Sequence, residues 1–130
     1  MGLEERRKIK ELQEVTFPGR VKEIEEICGT PIPYEVDWES LADDPDGLNF
    51  IENISCHRLN MALRVLCQDD LGKDAVRQGL KLVKLKNVKE DSGRKVVFDG
   101  GVLEMCCVYG KGLSGGFSDN EIRQVLEKSL

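Results

Sequence analysis

The chain has 130 residues, of which 33% are charged and 40% apolar, and its formal net charge is -5 at pH 7. This length and composition predict one globular domain with a core of its own, and they exclude a chain that is disordered throughout. The negative charge argues against a general nucleic-acid or membrane-surface binder, and the lack of an apolar stretch of about 18 residues argues against a membrane span.

The N-terminal segment is dense in charge. Within residues 3–15 the apolar positions Ile9, Leu12 and Val15 recur every three residues. This spacing predicts a weakly amphipathic helix that either docks on the rest of the domain or frays. Residues 1–30 are therefore a candidate peripheral segment of the single domain 1–130.

A second helix and a first strand follow. Thr16 is placed to cap a helix, Pro18 fits its first turn, and Gly29 fits the position just after its end. In residues 34–39 aromatic or apolar residues alternate with acidic ones, the period of a half-buried strand. Trp38, the single tryptophan, is assigned to the core or its rim.

Two helices, three strands and a last helix follow. A long helix is predicted over 47–70, a short one over 73–79, strands over 81–88, 95–98 and 102–109, and a last helix over 119–129 that starts with a capping box. Glycine turns between the last strands favour hairpins. The sequence therefore predicts an α+β fold with a four-stranded antiparallel sheet and helices packed mainly on one face.

Charge is distributed unevenly along the chain. Residues 31–55 hold seven acids and no base, whereas residues 56–95 hold ten bases and five acids. Glu35 and Asp37 alternate with apolar residues in the first strand, and lysines do so in the second. We predict that the two strands are neighbours and that opposite charges pair on the solvent face. A basic stripe for nucleic acid is the weaker interpretation.

The five cysteines contain no Cys-x-x-Cys pair, and His57 is the only histidine. A zinc site needs four close cysteine or histidine ligands, so no metal site is predicted. We expect reduced, mostly buried thiols in a cytoplasmic protein.

Residues 110–115 match the pattern Gly-x-Gly-x-x-Gly after a strand and before a helix. The chain as given has neither the second parallel strand nor the later acidic residue of a dinucleotide-binding unit, so no cofactor is predicted. The segment is interpreted as a flexible connector. The alternative is an anion site that uses Lys111 and Ser118.

The long helix carries one polar stripe without lysine or glutamate: Asn53, His57, Asn60 and Arg64, spaced by four, three and four. Three interpretations remain open. The stripe satisfies buried groups of neighbouring helices, it binds a partner, or it forms a small-ligand or catalytic site. In the last case His57 is the general acid or base and Arg64 holds an anion.

Functionally, the sequence favours a non-enzymatic interaction or regulatory module whose partner is another protein or a second copy. Whether the protein is an enzyme stays open, with the balance against it. The alternative is a small-ligand or anion-binding protein, an enzyme included, that uses the stripe around His57. No nucleic acid and no membrane is expected as a partner.

Overall fold

The computed structural model describes residues 2–130. The helices are α1 (Leu3–Glu11), α2 (Phe17–Cys28), α3 (Pro45–Ile51), α4 (Arg58–Leu66), α5 (Asp70–Gly79) and α6 (Asp119–Glu127). The strands are β1 (Tyr34–Val36), β2 (Leu82–Asn87), β3 (Lys95–Asp99) and β4 (Val102–Cys107). The predicted α+β class is confirmed, as is the capping box of Ser118 and Glu121 that starts α6.

The sheet is mixed, in the order β1-β2-β4-β3, and the prediction of an antiparallel sheet was wrong. β1 pairs parallel with β2, and β2 pairs parallel with β4, so only the β3–β4 pair is antiparallel. Gly100 and Gly101, with φ of 58° and 83°, make the tight turn of that hairpin. The glycine turn before β3 does not join neighbouring strands, because β4 lies between β2 and β3 in the sheet. The chain forms β3 at the far edge first and then returns to form β4.

The helical region between β1 and β2 is the crossover that parallel pairing requires. It starts at Pro45, behind Asp44, whose carboxylate accepts a hydrogen bond from the Gly47 N–H at 2.8 Å. It is one long helical run, as predicted, but Glu52–His57 is π-helical and separates α3 from α4. A second π-helical segment, Leu12–Thr16, joins α1 to α2.

The core lies between the helices and one face of the sheet. The strands alternate buried and exposed positions, so that Val83, Leu85 and Leu103 are fully or nearly fully buried in the core. The opposite face carries charges. Glu35 of β1 is the register partner of Lys84 of β2, and its Oε2 lies 3.4 Å from Lys84 Nζ. This confirms the predicted pairing of β1 and β2. Such exposed pairs contribute about 0.2–1 kcal/mol each, so they choose register more than they stabilise the fold.

Candidate functional site

The predicted polar stripe does not form one surface. Asn53 and Arg64 are exposed, His57 is half-buried, and Asn60 is fully buried. The π-helical segment Glu52–His57 accounts for part of this, since it separates Asn53 from Asn60. Asn60 and Arg64 both lie in the regular helix α4 and differ because Asn60 faces α2. An α-helix advances about 100° per residue, and a π-turn inserts a residue, so positions beyond it are rotated relative to those before it. Asn53 and Asn60 therefore have different environments despite their spacing. Any ligand for these four residues remains a prediction.

Asn60 belongs to a network that joins α4 to α2. Its Nδ2 donates to Glu23 Oε1 at 2.8 Å, and Arg20 donates to the same oxygen at 3.0 Å. The Arg20 Nε also donates to Glu52 at 3.0 Å. Partial burial works against ionisation of Glu23, yet the hydrogen bonds from Asn60 and Arg20 lower the pKa of its carboxyl below the usual value. This network favours the interpretation of Asn60 as an internal hydrogen-bonding residue.

The glycine-rich connector is held by two arginines. Arg58 donates to the carbonyls of Phe117 and Leu113 at 2.9 and 3.0 Å, so it pairs with backbone. Arg94 donates to the carbonyls of Ser114 and Gly116. Within Tyr109–Gly115 the connector forms 3-10 turns on either side of a kink at Gly112, whose φ of 68° is not helical.

The two residues of the alternative anion site already have partners. Lys111 Nζ lies 2.7 Å from an Asp91 carboxylate oxygen. The Ser118 hydroxyl accepts from the Glu121 N–H at 3.1 Å. An anion would have to compete with Asp91 and Glu121, and its binding stays a prediction.

A groove runs between the N-terminal helices and β1. It consists of two adjoining concavities of about 410 and 490 Å³, which share Gln13 and Trp38. We call it the aromatic groove. The first concavity is lined by Gln13, Phe17, Pro18, Val21, Pro33, Tyr34, Val36 and Trp38. The second concavity is lined by Arg6, Ile9, Lys10, Gln13, Glu14, Trp38, Glu39 and Ala42.

Three aromatic rings meet in this groove. Phe17 stacks on Tyr34 with ring centroids 5.3 Å apart, and Trp38 lies 5.6 Å from Phe17. Phe17 is buried, whereas Tyr34 and Trp38 are half-buried and keep part of their surface accessible. Partly exposed aromatic side chains in a concave surface are typical of protein-binding sites.

The groove borders a free sheet edge, because β1 has a neighbour on one side only. The Asp37 N–H donates to Leu85 O, and Pro33 O accepts from the Val83 N–H. Hydrogen-bonding direction alternates along a strand, so the main-chain groups of Tyr34 and Val36 point away from β2. The edge therefore offers hydrogen-bonding groups to an added strand at two residues that line the groove.

The sequence analysis named none of the groove's aromatic residues as candidate site residues, since it assigned Trp38 to the core or its rim and placed its candidates on the long helix and at Lys111 and Ser118. One signal was present. Proline next to a strand is typical of a sheet edge, and Pro31 and Pro33 directly precede β1.

The described residues, 2–130, contain no group of three or more His, Cys, Asp or Glu side chains placed to hold a metal ion. In this same range no helix combines the length and apolar character needed to cross a bilayer. No family model, no curated protein and no solved structure matches the chain.

Proposed function

We propose that this protein is a non-enzymatic interaction module that binds an extended segment of another protein as an added strand beside β1. The observation that carries the proposal is the free β1 edge at Tyr34 and Val36, which forms one wall of the aromatic groove. Strand addition of this kind takes affinity from main-chain hydrogen bonds and specificity from pockets for alternate side chains.

The two sides of β1 define the chemistry of that segment. On the core side, Tyr34 and Val36 line the groove, and the side chains of the bound segment on that side would enter it. Because most residues that line this concavity are apolar, these side chains of the segment are apolar. On the open face, Glu35 and Asp37 are exposed and lie next to the added strand. Basic side chains are favoured there, because opposite charges on adjacent strands attract. The preferred partner segment alternates apolar residues with lysine or arginine.

The proposal includes a cytoplasmic location. It is supported by the cysteines, all five of which carry free thiols. Proteins of oxidising compartments commonly use their cysteines in structural disulfides.

The alternative, a small-ligand or anion-binding protein centred on His57, draws less support from the geometry. Neither concavity of the aromatic groove is lined by His57 or Arg64. Asn60 is fully buried and donates a hydrogen bond to Glu23, so it does not share an accessible binding surface with His57 and Arg64.

Peptides selected from a random phage-displayed library on the intact protein should alternate apolar and basic residues. Binding of such a synthetic peptide should change the fluorescence of Trp38, the only tryptophan. In hydrogen exchange followed by NMR, the amides of Tyr34 and Val36 should become protected when the peptide binds. The Asp37 amide is the internal control, since its bond to Leu85 exists without peptide.

A matched pair of variants sharpens this test. Val36→Pro removes one edge N–H without removing a β1–β2 hydrogen bond, and it should weaken peptide binding at least about tenfold. Leu71→Ala, at an exposed leucine outside the groove, should not change binding. Unchanged protection of Tyr34 and Val36 on binding would contradict the proposal. So would protection that develops without peptide as the protein dimerises, because the partner would then be a second copy.

A further inference from the structure

Two cysteines that are distant in sequence meet between helices. Cys28 is the last residue of α2, and Cys67 immediately follows α4. The Cys67 thiol donates to Cys28 Sγ, and the two sulfur atoms are 3.2 Å apart. A disulfide needs them about 2.05 Å apart, so a small movement of two side chains would join them.

The surroundings make the two thiols unequal. Cys28 is fully buried, whereas Cys67 is half-buried and the more accessible to a small oxidant. The Lys73 side chain approaches Gly29, the residue after Cys28. Its positive charge favours the thiolate form of both cysteines.

We propose that Cys28 and Cys67 form a redox modification site, at which hydrogen peroxide produces a reversible disulfide between α2 and the end of α4. This inference is independent of the proposed peptide binding, because it concerns other residues and a covalent reaction.

Hydrogen peroxide oxidises the two thiols in two steps. The Cys67 thiolate attacks one oxygen of hydrogen peroxide, the O–O bond breaks, and a sulfenic acid and hydroxide form. The Cys28 sulfur then attacks Cys67 Sγ, the S–O bond breaks, and the S–S bond forms. The hydroxide released in each step takes up one thiol proton. Two thiols thus lose two electrons and two protons, and one peroxide becomes two waters.

The rate of this reaction should rise with pH. Burial raises the pKa of the Cys67 thiol above its ordinary value, although the contact with Cys28 and the charge of Lys73 act against the shift. Below that pKa each additional pH unit increases the thiolate fraction about tenfold, and the thiolate is the reacting form. We expect the initial rate to rise by about that factor between pH 7 and pH 8.

The experiment treats the intact protein with hydrogen peroxide and maps the products by mass spectrometry without reduction. We expect a mass loss of two hydrogens, a cross-linked pair of peptides containing Cys28 and Cys67, and full reversal by dithiothreitol. The cross-link closes a loop of about 40 residues and should raise the melting temperature by about 10 °C.

Two variants test the assignment. Cys67→Ser should abolish the two-hydrogen loss and the rise in melting temperature. Cys106→Ser, at a cysteine on the open face of the sheet, should keep both. Peptide mapping of the oxidised wild-type protein needs no variant, so it still tests the proposal if Cys67→Ser fails to fold. Recovery of Cys28 and Cys67 as free thiols after oxidation, or their appearance in cross-links to other cysteines, would overturn the proposal.

Discussion

Replacement of Gly115 by alanine is expected to destabilise the protein by about 3 kcal/mol or more. A Cβ atom at this position would lie 1.8 Å from the Val108 carbonyl oxygen. The clash is with backbone, so no side-chain rotation relieves it. The two segments are also tied together, since the Val108 N–H donates to Gly115 O at 2.8 Å. Urea unfolding followed by circular dichroism measures the loss.

Gly19→Ala is the matched control for this substitution. Gly19 lies inside α2, and a Cβ there would have no heavy atom within 4 Å. Alanine is the better helix former, so this variant should be about 0.5–1 kcal/mol more stable than wild type. A Gly115→Ala variant within about 1 kcal/mol of wild type would show that the packing of this segment is not as described.

Gly112 and Gly115 explain two positions of the Gly-x-Gly-x-x-Gly pattern. Gly112 has a φ of 68°, a conformation that favours glycine, and Gly115 allows a close approach of backbone to backbone. Backbone conformation and close packing therefore explain why glycine occupies these two positions, without a bound phosphate.

Asn60→Asp is expected to destabilise the protein by at least about 3 kcal/mol at pH 7. The substitution keeps the shape of the side chain but replaces the donor of the 2.8 Å hydrogen bond to Glu23 with a second carboxylate. Position 60 is fully buried, so the new carboxylate would lose its hydration, whereas Glu23 keeps part of its side chain exposed. Chemical denaturation at pH 7 measures the difference from wild type.

The pH dependence identifies the cause. Burial and the Glu23 carboxylate raise the folded-state pKa of the new aspartate above its unfolded value of about 3.9. The ionised form carries the penalty, so the deficit relative to wild type is greatest above the folded-state pKa and shrinks as the pH falls toward the unfolded value. Asn53→Asp, at an exposed asparagine of the same helical run, should change stability by less than about 0.5 kcal/mol. A deficit of Asn60→Asp that does not change with pH would point to packing instead of charge.

Much of the fold could be predicted from local signals. Alternation identified β1, Gly100 and Gly101 identified the hairpin, and Ser118 with Glu121 identified the start of α6. Strand direction could not be predicted in this way. The pairing of β2 with β4 is parallel because the chain passes beyond β4 before it returns, and no local pattern encodes that path.

The polar residues of the long helix show a second limit. Their spacing predicts one stripe only if the helix keeps 3.6 residues per turn throughout. Glu52–His57 departs from that geometry, and Asn60, which follows it in α4, is directed at Glu23. The aromatic groove was harder still, because Phe17, Tyr34 and Trp38 come from separate elements and meet only in the folded chain.

The mixed sheet also has a consequence for the order of folding. The β3–β4 hairpin joins residues that are close in sequence, whereas Tyr34 of β1 pairs with Val83, about 50 positions away. Closing the longer loop costs more chain entropy, and non-local pairing is slow. We therefore expect β1 to join the sheet late in folding. The edge that offers its hydrogen bonds to a partner is thus also the part of the sheet that we expect to form last.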